Sequence, residues 1–400
     1  MRDADVIVIG GGIIGCSVAW QLSKLGKSVL VLERKDVASG SAGATDGVVG
    51  YHTKKPGKQM DLAVQSIAMF RNLGRDLGEE IEYGFQAGGM QPVEDKMQWD
   101  ILSEIVEQQR KSGVDIRMIS TEEARRIEPQ LSPDIYGALY SPTGGKVNPL
   151  KLTMAYARAA KRLGARIQTE TEVTGFIRED GAVKGVETNK GPFRADVVVD
   201  ACGAWAGKVA ALLGLDLPIK PRKGQLAVTE PVGPFMKATL QCARYNVIKF
   251  RPDAVTDPAV KRLGASLSIE QTREGGMIIG GTREFADYEG ENTFEAVEVM
   301  LKRAARFFPA LKNVAVIRFF SGFRPFTPDG MPLLGPVRGV PGFYMAAGHE
   351  EMCIRDRPSA LCATMADASA SKAAKNRAPC CASGFKHQKR PSGFSRRSFF

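Results

Sequence analysis

The 400-residue chain is 44% hydrophobic and 25% charged, ordinary for a globular protein of about two domains. No apolar run reaches the ~18–20 residues of a membrane span, and no basic leader with a cleavage site opens the chain, so a cytoplasmic protein is expected. The net charge of +11 suggests an anionic partner such as nucleic acid, but residues 352–400 hold ten Lys/Arg against two Asp/Glu. Eight of the eleven net charges belong to that segment, and the near-balanced body points away from nucleic acid.

Residues 5–9 form a short apolar, β-branched run that leads directly into Gly10-Gly11-Gly12-Ile13-Ile14-Gly15. Ile13, Ile14, Val18, Leu22 and Leu25 then recur at helical spacing, with Gly26 placed to end the helix. A second apolar run, 28–32, suits a buried parallel strand closed by Glu33. This is a complete strand–helix–strand unit. Gly10 permits the tight turn, Gly12 lets the backbone approach a pyrophosphate, and Gly15 allows helix and strand to pack closely. The helix N-terminus offers unpaired N–H groups to the diphosphate, and Glu33 is placed to accept hydrogen bonds from ribose hydroxyls.

Residues 38–50 are small, polar and Gly-rich, either a flexible loop or a segment lying along a cofactor. Residues 61–130 read mainly as helices, clearest at 101–110 and 121–126. Residues 88–92 (Gly-Gly-Met-Gln-Pro) read as a turn between strands. Asn148-Pro149 opens a helix over 150–163. Strands are expected at 166–169 and 171–177, the latter entering a hairpin through Glu179-Asp180-Gly181. A buried strand at 195–201 ends in Cys202-Gly203-Ala204-Trp205, again a close-approach arrangement. Residues 216–319 are richer in strands, with a hairpin before 277–280 and an amphipathic helix over 294–308. Residues 320–330 mix turn formers around Arg324, and 343–347 is a last apolar strand before Gly348-His349.

Three of the seven cysteines, Cys16, Cys202 and Cys242, lie in the body, scattered and without metal-ligand spacing, so no metal site is expected. The body holds two histidines, His52 and His349, too few for His-based hydrolytic triads.

Residues 10–15 with Glu33, the loop 39–49, Ala201 to Trp205, Gly322 to Gly330 and Gly348-His349 together resemble the D-amino-acid oxidase / glycine oxidase / sarcosine oxidase group. The resemblance implies an α/β fold: a Rossmann-like FAD-binding domain on a parallel central sheet, with an antiparallel-sheet substrate domain over the flavin. On that basis residues 1–85, 145–215 and 320–351 would make the FAD-binding domain, and 86–144 with 216–319 the substrate domain. The resemblance implies diphosphate on residues 10–15, including Ile13 and Ile14. It implies Glu33 on the adenosine ribose, the Val173 backbone at the adenine, and Gly203 beside the cofactor. Arg34, Ser41, Thr45, Asp46, Gly47 and Gly348 complete the expected cofactor contacts. With no cysteine suitably placed, the FAD is expected to be non-covalent.

The implied activity is oxidation of an amino acid or secondary amine by hydride transfer to flavin N5, giving an imine that hydrolyses. Arg324 matches the arginine that clamps the substrate carboxylate, a pairing a planar guanidinium makes with two parallel hydrogen bonds; a structural arginine capping a turn is the other reading. His52 and Tyr245 are candidate pocket residues, or else core or surface positions. A 2-hydroxy-acid or glycerol-phosphate dehydrogenase, and a flavin subunit of a larger electron-transfer complex with partner subunits, remain open. A NAD dehydrogenase leaves Ala201 to Trp205 and Gly348-His349 unexplained.

After Gly348-His349 the group continues with more glycine and an apolar helix whose N-terminus faces the flavin. Here Met352-Cys353-Ile354-Arg355-Asp356-Arg357 follows, one reading frame of ATGTGTATAAGAGACAG, a transposon end used in sequencing libraries. Residues 352–400 are therefore expected to be a non-native read-through, with a genuine basic, disordered tail as the rival reading. On the first reading one wall of the flavin site is missing, FAD is held weakly, and activity of the chain is in doubt.

Overall fold

The computed structural model describes residues 2–84 and 87–350, so the expectations for residues 352–400 lie outside the described residues. Four short, almost wholly apolar segments become strands buried on both faces: β1 (Val6–Ile9), β2 (Val29–Leu32), Val197–Asp200 and Phe343–Ala347. Such runs suit a parallel sheet covered on each side. They form a six-stranded sheet in the order Leu333–Pro336, Phe343–Ala347, Val197–Asp200, β1, β2, Arg166–Gln168. All pairings are parallel except the edge pair Leu333–Pro336 with Phe343–Ala347.

The helices α1 (Ile13–Lys24) and Pro149–Arg162 pack together on this side of the core, with Trp20 edge-on to Tyr156 at 5.6 Å between ring centres. Asn148 caps the second helix by accepting the Lys151 N–H at 3.1 Å, and Pro149 occupies its first turn. A three-stranded antiparallel meander, Val173–Glu179, Ala182–Thr188 and Phe193–Arg194, meets the opposite face of the sheet. There Phe176 contacts Phe343 edge-on at 5.4 Å.

The second unit is an eight-stranded sheet. Its order is Val316–Phe326, Lys220–Thr229, Met277–Gly280, Ser268–Gln271, Thr239–Gln241, Gly89–Val93, Gly137–Ser141, Arg117–Ile119. It is antiparallel except where Thr239–Gln241 runs parallel to Gly89–Val93. The amphipathic helix Phe294–Phe307 covers it with Met300, Ala304 and Phe307.

Two local expectations change. Residues 89–93 are a fully buried strand, not a turn. Gly88 makes the turn at φ +81°, and Pro92 is tolerated because the parallel neighbour pairs only with Gly89 and Met90, leaving no partner there that needs a proline N–H. Residues 320–326 belong to the eleven-residue strand Val316–Phe326, which pairs with Lys220–Thr229 along its length; the turn starts only at Thr327. Long-range pairing overrides the local turn signal. The boundary placed at residue 320 falls inside this strand, and the segment 320–351 divides between the two sheets. Among the described residues, no helix is long and apolar enough to cross a membrane.

Candidate active site

The chain leaves β1 toward β2 on one side, while Val197–Asp200 pairs with β1 on the other, so a crevice opens at the carboxyl ends of β1 and Val197–Asp200. Open α/β sheets bind ligands at such a switch point. Gly10 adopts φ +106°, and a Cβ there would meet the Ala201 carbonyl oxygen at 2.7 Å. A Cβ on Gly15 would lie 1.9 Å from the Gly10 oxygen, so helix and turn touch through backbone alone. A Cβ on Gly12 would project into open space. Helix α1 has no side-chain cap and no acidic residue in its first turn, which leaves its N–H groups and positive end for an anion.

A cleft of about 650 Å³ follows from this turn. Gly10, Gly12, Ile13, Ile14, Glu33, Arg34, Ser41, Val173 and Gly203 all line it. Glu33 accepts the Gly11 and Lys35 N–H groups at 2.7 and 2.8 Å, which fixes its carboxylate at the rim. Gly15 stands behind the wall as the helix–strand contact. Arg34 lies 4.6 Å above the Trp205 ring, and Trp205 packs against Tyr288 and Phe323, both at 5.8 Å. The Ser41 hydroxyl donates to the Phe323 carbonyl, and a Cβ on Gly322 would meet the Ala44 oxygen at 2.3 Å. The loop 41–44 is thereby laid against strand Val316–Phe326.

Burial pushes the Cys16 thiol up to about 12 and the Cys202 thiol well above its ordinary value, so both stay protonated. Asp200, fully buried under the turn, accepts the Cys202 N–H at 3.0 Å; burial raises its carboxyl to about 7.

Thr45, Asp46 and Gly47 are not in this cleft. Thr45 and Asp46 line a second, smaller cavity of about 70 Å³, and Gly47 packs on the Val147 carbonyl, where a Cβ would lie 1.9 Å away. The reason is the strand Val48–Val49, which pairs with Gly145–Lys146 and turns the loop away from the cleft after Ala44. Gly348 is also not on the cleft wall: a Cβ there would meet Thr327 at 2.8 Å, while its neighbours Ala347 and His349 do line it.

The small cavity collects the three expected substrate residues, Arg324, Tyr245 and His52. Arg324 enters from strand Val316–Phe326. Its Nη1 donates to the Thr282 carbonyl at 3.1 Å, and its guanidinium fills the space left by Gly224, where a Cβ would come within 2.2 Å of Nη1. His52 is buried, its Nε2 3.0 Å from Gln241 Oε1. Tyr245 bonds through its hydroxyl to Arg283, which also pairs with Glu350. Arg222 reaches Glu350 at 3.1 Å and lies 5.0 Å from the rings of Phe285 and Phe326.

Sequence reasoning missed Arg222, Arg283, Glu350 and Gly224, together with the rings of Trp205 and Tyr288. Gly280-Gly281-Thr282-Arg283, a glycine pair ending a strand before an arginine, is the one local signal that could have pointed to Arg283.

Cleft and cavity are lined by adjoining residues along three stretches of chain. Ala44 lines the first and Thr45 the second; Pro325 and Arg324 divide likewise, as do His349 and Glu350. A glycine-built nucleotide cleft at a switch point, abutting a charged cavity under an antiparallel sheet, defines a dinucleotide-dependent enzyme of the two-sheet flavoprotein type.

The family described as FAD dependent oxidoreductase matches residues 5–353. The chain is 30% identical to glycine oxidase of Geobacillus kaustophilus over 353 residues, covering 86% of this chain and 87% of that protein. It is 28% identical over 389 residues to hydrogen cyanide synthase subunit HcnC of Pseudomonas aeruginosa, covering 87% and 88%. Its structure resembles L-proline dehydrogenase from P. horikoshii with a TM-score of 0.78 at 29% identity, covering 90% of this chain and 91% of that one. The chain belongs to the FAD-dependent oxidoreductase family, and FAD is its cofactor. The uncapped α1 terminus, the open space at Gly12 and the rim carboxylate of Glu33 fit the diphosphate and ribose of that group.

Proposed function

We propose that the protein oxidises a small amino acid or secondary amine at the carbon bearing nitrogen. The observation that carries this reading is Arg324, a guanidinium anchored by Thr282 and facing a small cavity contiguous with the FAD cleft. A cavity of 70 Å³ holds roughly five water-sized positions, which suits a substrate of few heavy atoms. Arg324 fixes a carboxylate with charge-assisted bonds, and fixing it orients the adjacent carbon. Glu350 pairs with both Arg222 and Arg283, whereas Arg324 has no ion pair among the described residues. Bound FAD supplies the acceptor for the hydride that leaves that carbon. The amine arrives neutral, and the oxidised product is an imine that water hydrolyses. Names of similar proteins, glycine oxidase and L-proline dehydrogenase, support an amino-acid substrate.

Anaerobic flavin bleaching of the FAD-loaded 400-residue chain tests this. Glycine, sarcosine or proline should bleach the flavin faster than 2-hydroxyglutarate or glycerol phosphate. Bleaching by the hydroxy acid or the glycerol phosphate alone would move the protein to the other class. Similarity to a synthase subunit supports a second reading, in which partner subunits take the electrons. Slow reoxidation by O₂ with fast reoxidation by an artificial acceptor would favour it.

A further inference from the structure

The cavity that Arg324 lines also holds an acid. That acid is Asp46, and Oδ2 of its carboxylate accepts the Ser268 hydroxyl at 2.6 Å. Among the described residues Oδ1 accepts no hydrogen bond. The backbone behind the carboxylate is clamped from two sides. The Gly47 N–H donates to Glu270 Oε1 at 3.0 Å, and Gly47 rests against the Val147 carbonyl with no room for a side chain. Glu270 is 4% exposed, and among the described residues its Oε2 has no partner. Burial first, and then the charge of Asp46, raises the Glu270 carboxyl, with Lys146 opposing. Of the two acids, Glu270 is the buried one behind the wall, and Asp46 is the one that lines the cavity.

Asp46 shares this small space with Arg324. A group held by Arg324 through its carboxylate carries its next substituent within the same few water-sized positions. A carboxylate with a free oxygen accepts N–H donors, whether from a neutral amine or an ammonium, and repels a second anion. We propose that Asp46 binds the amino group of the substrate held by Arg324, so that the cavity selects amino acids over 2-hydroxy acids of the same shape. The assignment rests on the proposed amine oxidation, deepens it, and moves Asp46 from the cofactor to the substrate.

The test is Asp46→Asn in the FAD-loaded full chain, with acetate as a carboxylate-only probe and glycine, sarcosine and proline as substrates. Asparagine keeps an acceptor for Ser268 and the side-chain volume, and a melting curve checks that the fold is kept. The expected result is a KM for the amino substrate raised at least ~10-fold, the scale of one charged hydrogen bond. The acetate dissociation constant, read from flavin absorbance, should stay within about twofold, because Arg324 is untouched. An unchanged amino-acid KM overturns the assignment, and so does equal weakening of acetate and amino acid. Wild-type protein that binds acetate and turns over amino acids while Asp46→Asn behaves identically sinks only the role of Asp46. Wild-type protein that does neither sinks the amine-oxidation reading, and the assignment with it.

Discussion

The cleft and the cavity are built from different materials. The cleft is largely backbone: the Gly10 turn, the bare α1 terminus and four buried apolar strands, with the Glu33 carboxylate fixed at the rim. The cavity is side chains: Arg283, Arg324, Asp46 and Glu350, with Arg222 paired to Glu350, brought from strands and loops far apart in sequence. A backbone-built site is tolerant of chemistry but intolerant of volume. A charge-built site tolerates small changes of volume and is sensitive to the sign and geometry of each group.

The sharpest way to break the contrast is to add volume to the cleft. Gly15→Ala places a Cβ 1.9 Å from the Gly10 oxygen, a backbone atom that cannot swing aside. Overpacking of this kind costs about 3 kcal/mol and spreads the turn that holds the diphosphate. The purified variant should carry little FAD and melt lower; a normally yellow, stable protein would contradict the assigned turn. In the cavity, Arg324→Lys keeps the charge and loses the planar fork. It should lower kcat/KM roughly 100-fold with FAD content unchanged, because a bidentate site does not accept an ammonium as an equivalent.

A smaller effect is expected at the cleft rim. Glu33→Gln removes a carboxylate that accepts two backbone N–H groups, and should weaken FAD binding by about tenfold without altering substrate KM. Equilibrium dialysis of FAD measures it. The smallest effect concerns stability alone. The Asp200 carboxyl has its folded-state value raised by burial from 3.8 to about 7. A raised value means the neutral form is favoured on folding. Its contribution is therefore complete below about pH 4 and is lost as pH rises through about 7. Asp200→Asn should flatten the fall in melting temperature across that window relative to wild type. Glu94 supplies the opposite slope: burial would raise it, but Arg303 and Arg244 hold it down at about 2, so its contribution is lost only as pH falls from 4.5 toward 2.

The contrast also explains what could be read from the chain. Residues 5–33 carry strand, turn, helix and acid within one contiguous stretch, so local periodicity and glycine spacing were enough. Arg324 was legible because its neighbours match a known pattern, although the turn assigned around it is a strand paired with residues 220–229. Arg283, Arg222 and Glu350 carried little or no local signal, since each acquires its role only by meeting the others. The loop 38–50 was half legible: its small residues follow the cleft as far as Ala44, and then pairing of Val48–Val49 with Gly145–Lys146 diverts it.

By itself, then, the sequence determined a nucleotide-binding turn, its rim carboxylate and the apolar strands beneath them, because the interactions involved span few residues and rest on steric necessity. Only the tertiary structure decided which charges share the cavity and that Asp46 belongs to it. The pairing of Val316–Phe326 with Lys220–Thr229, and of Ser268–Gln271 within the same sheet, brings those groups together. No local pattern records which strands will be neighbours.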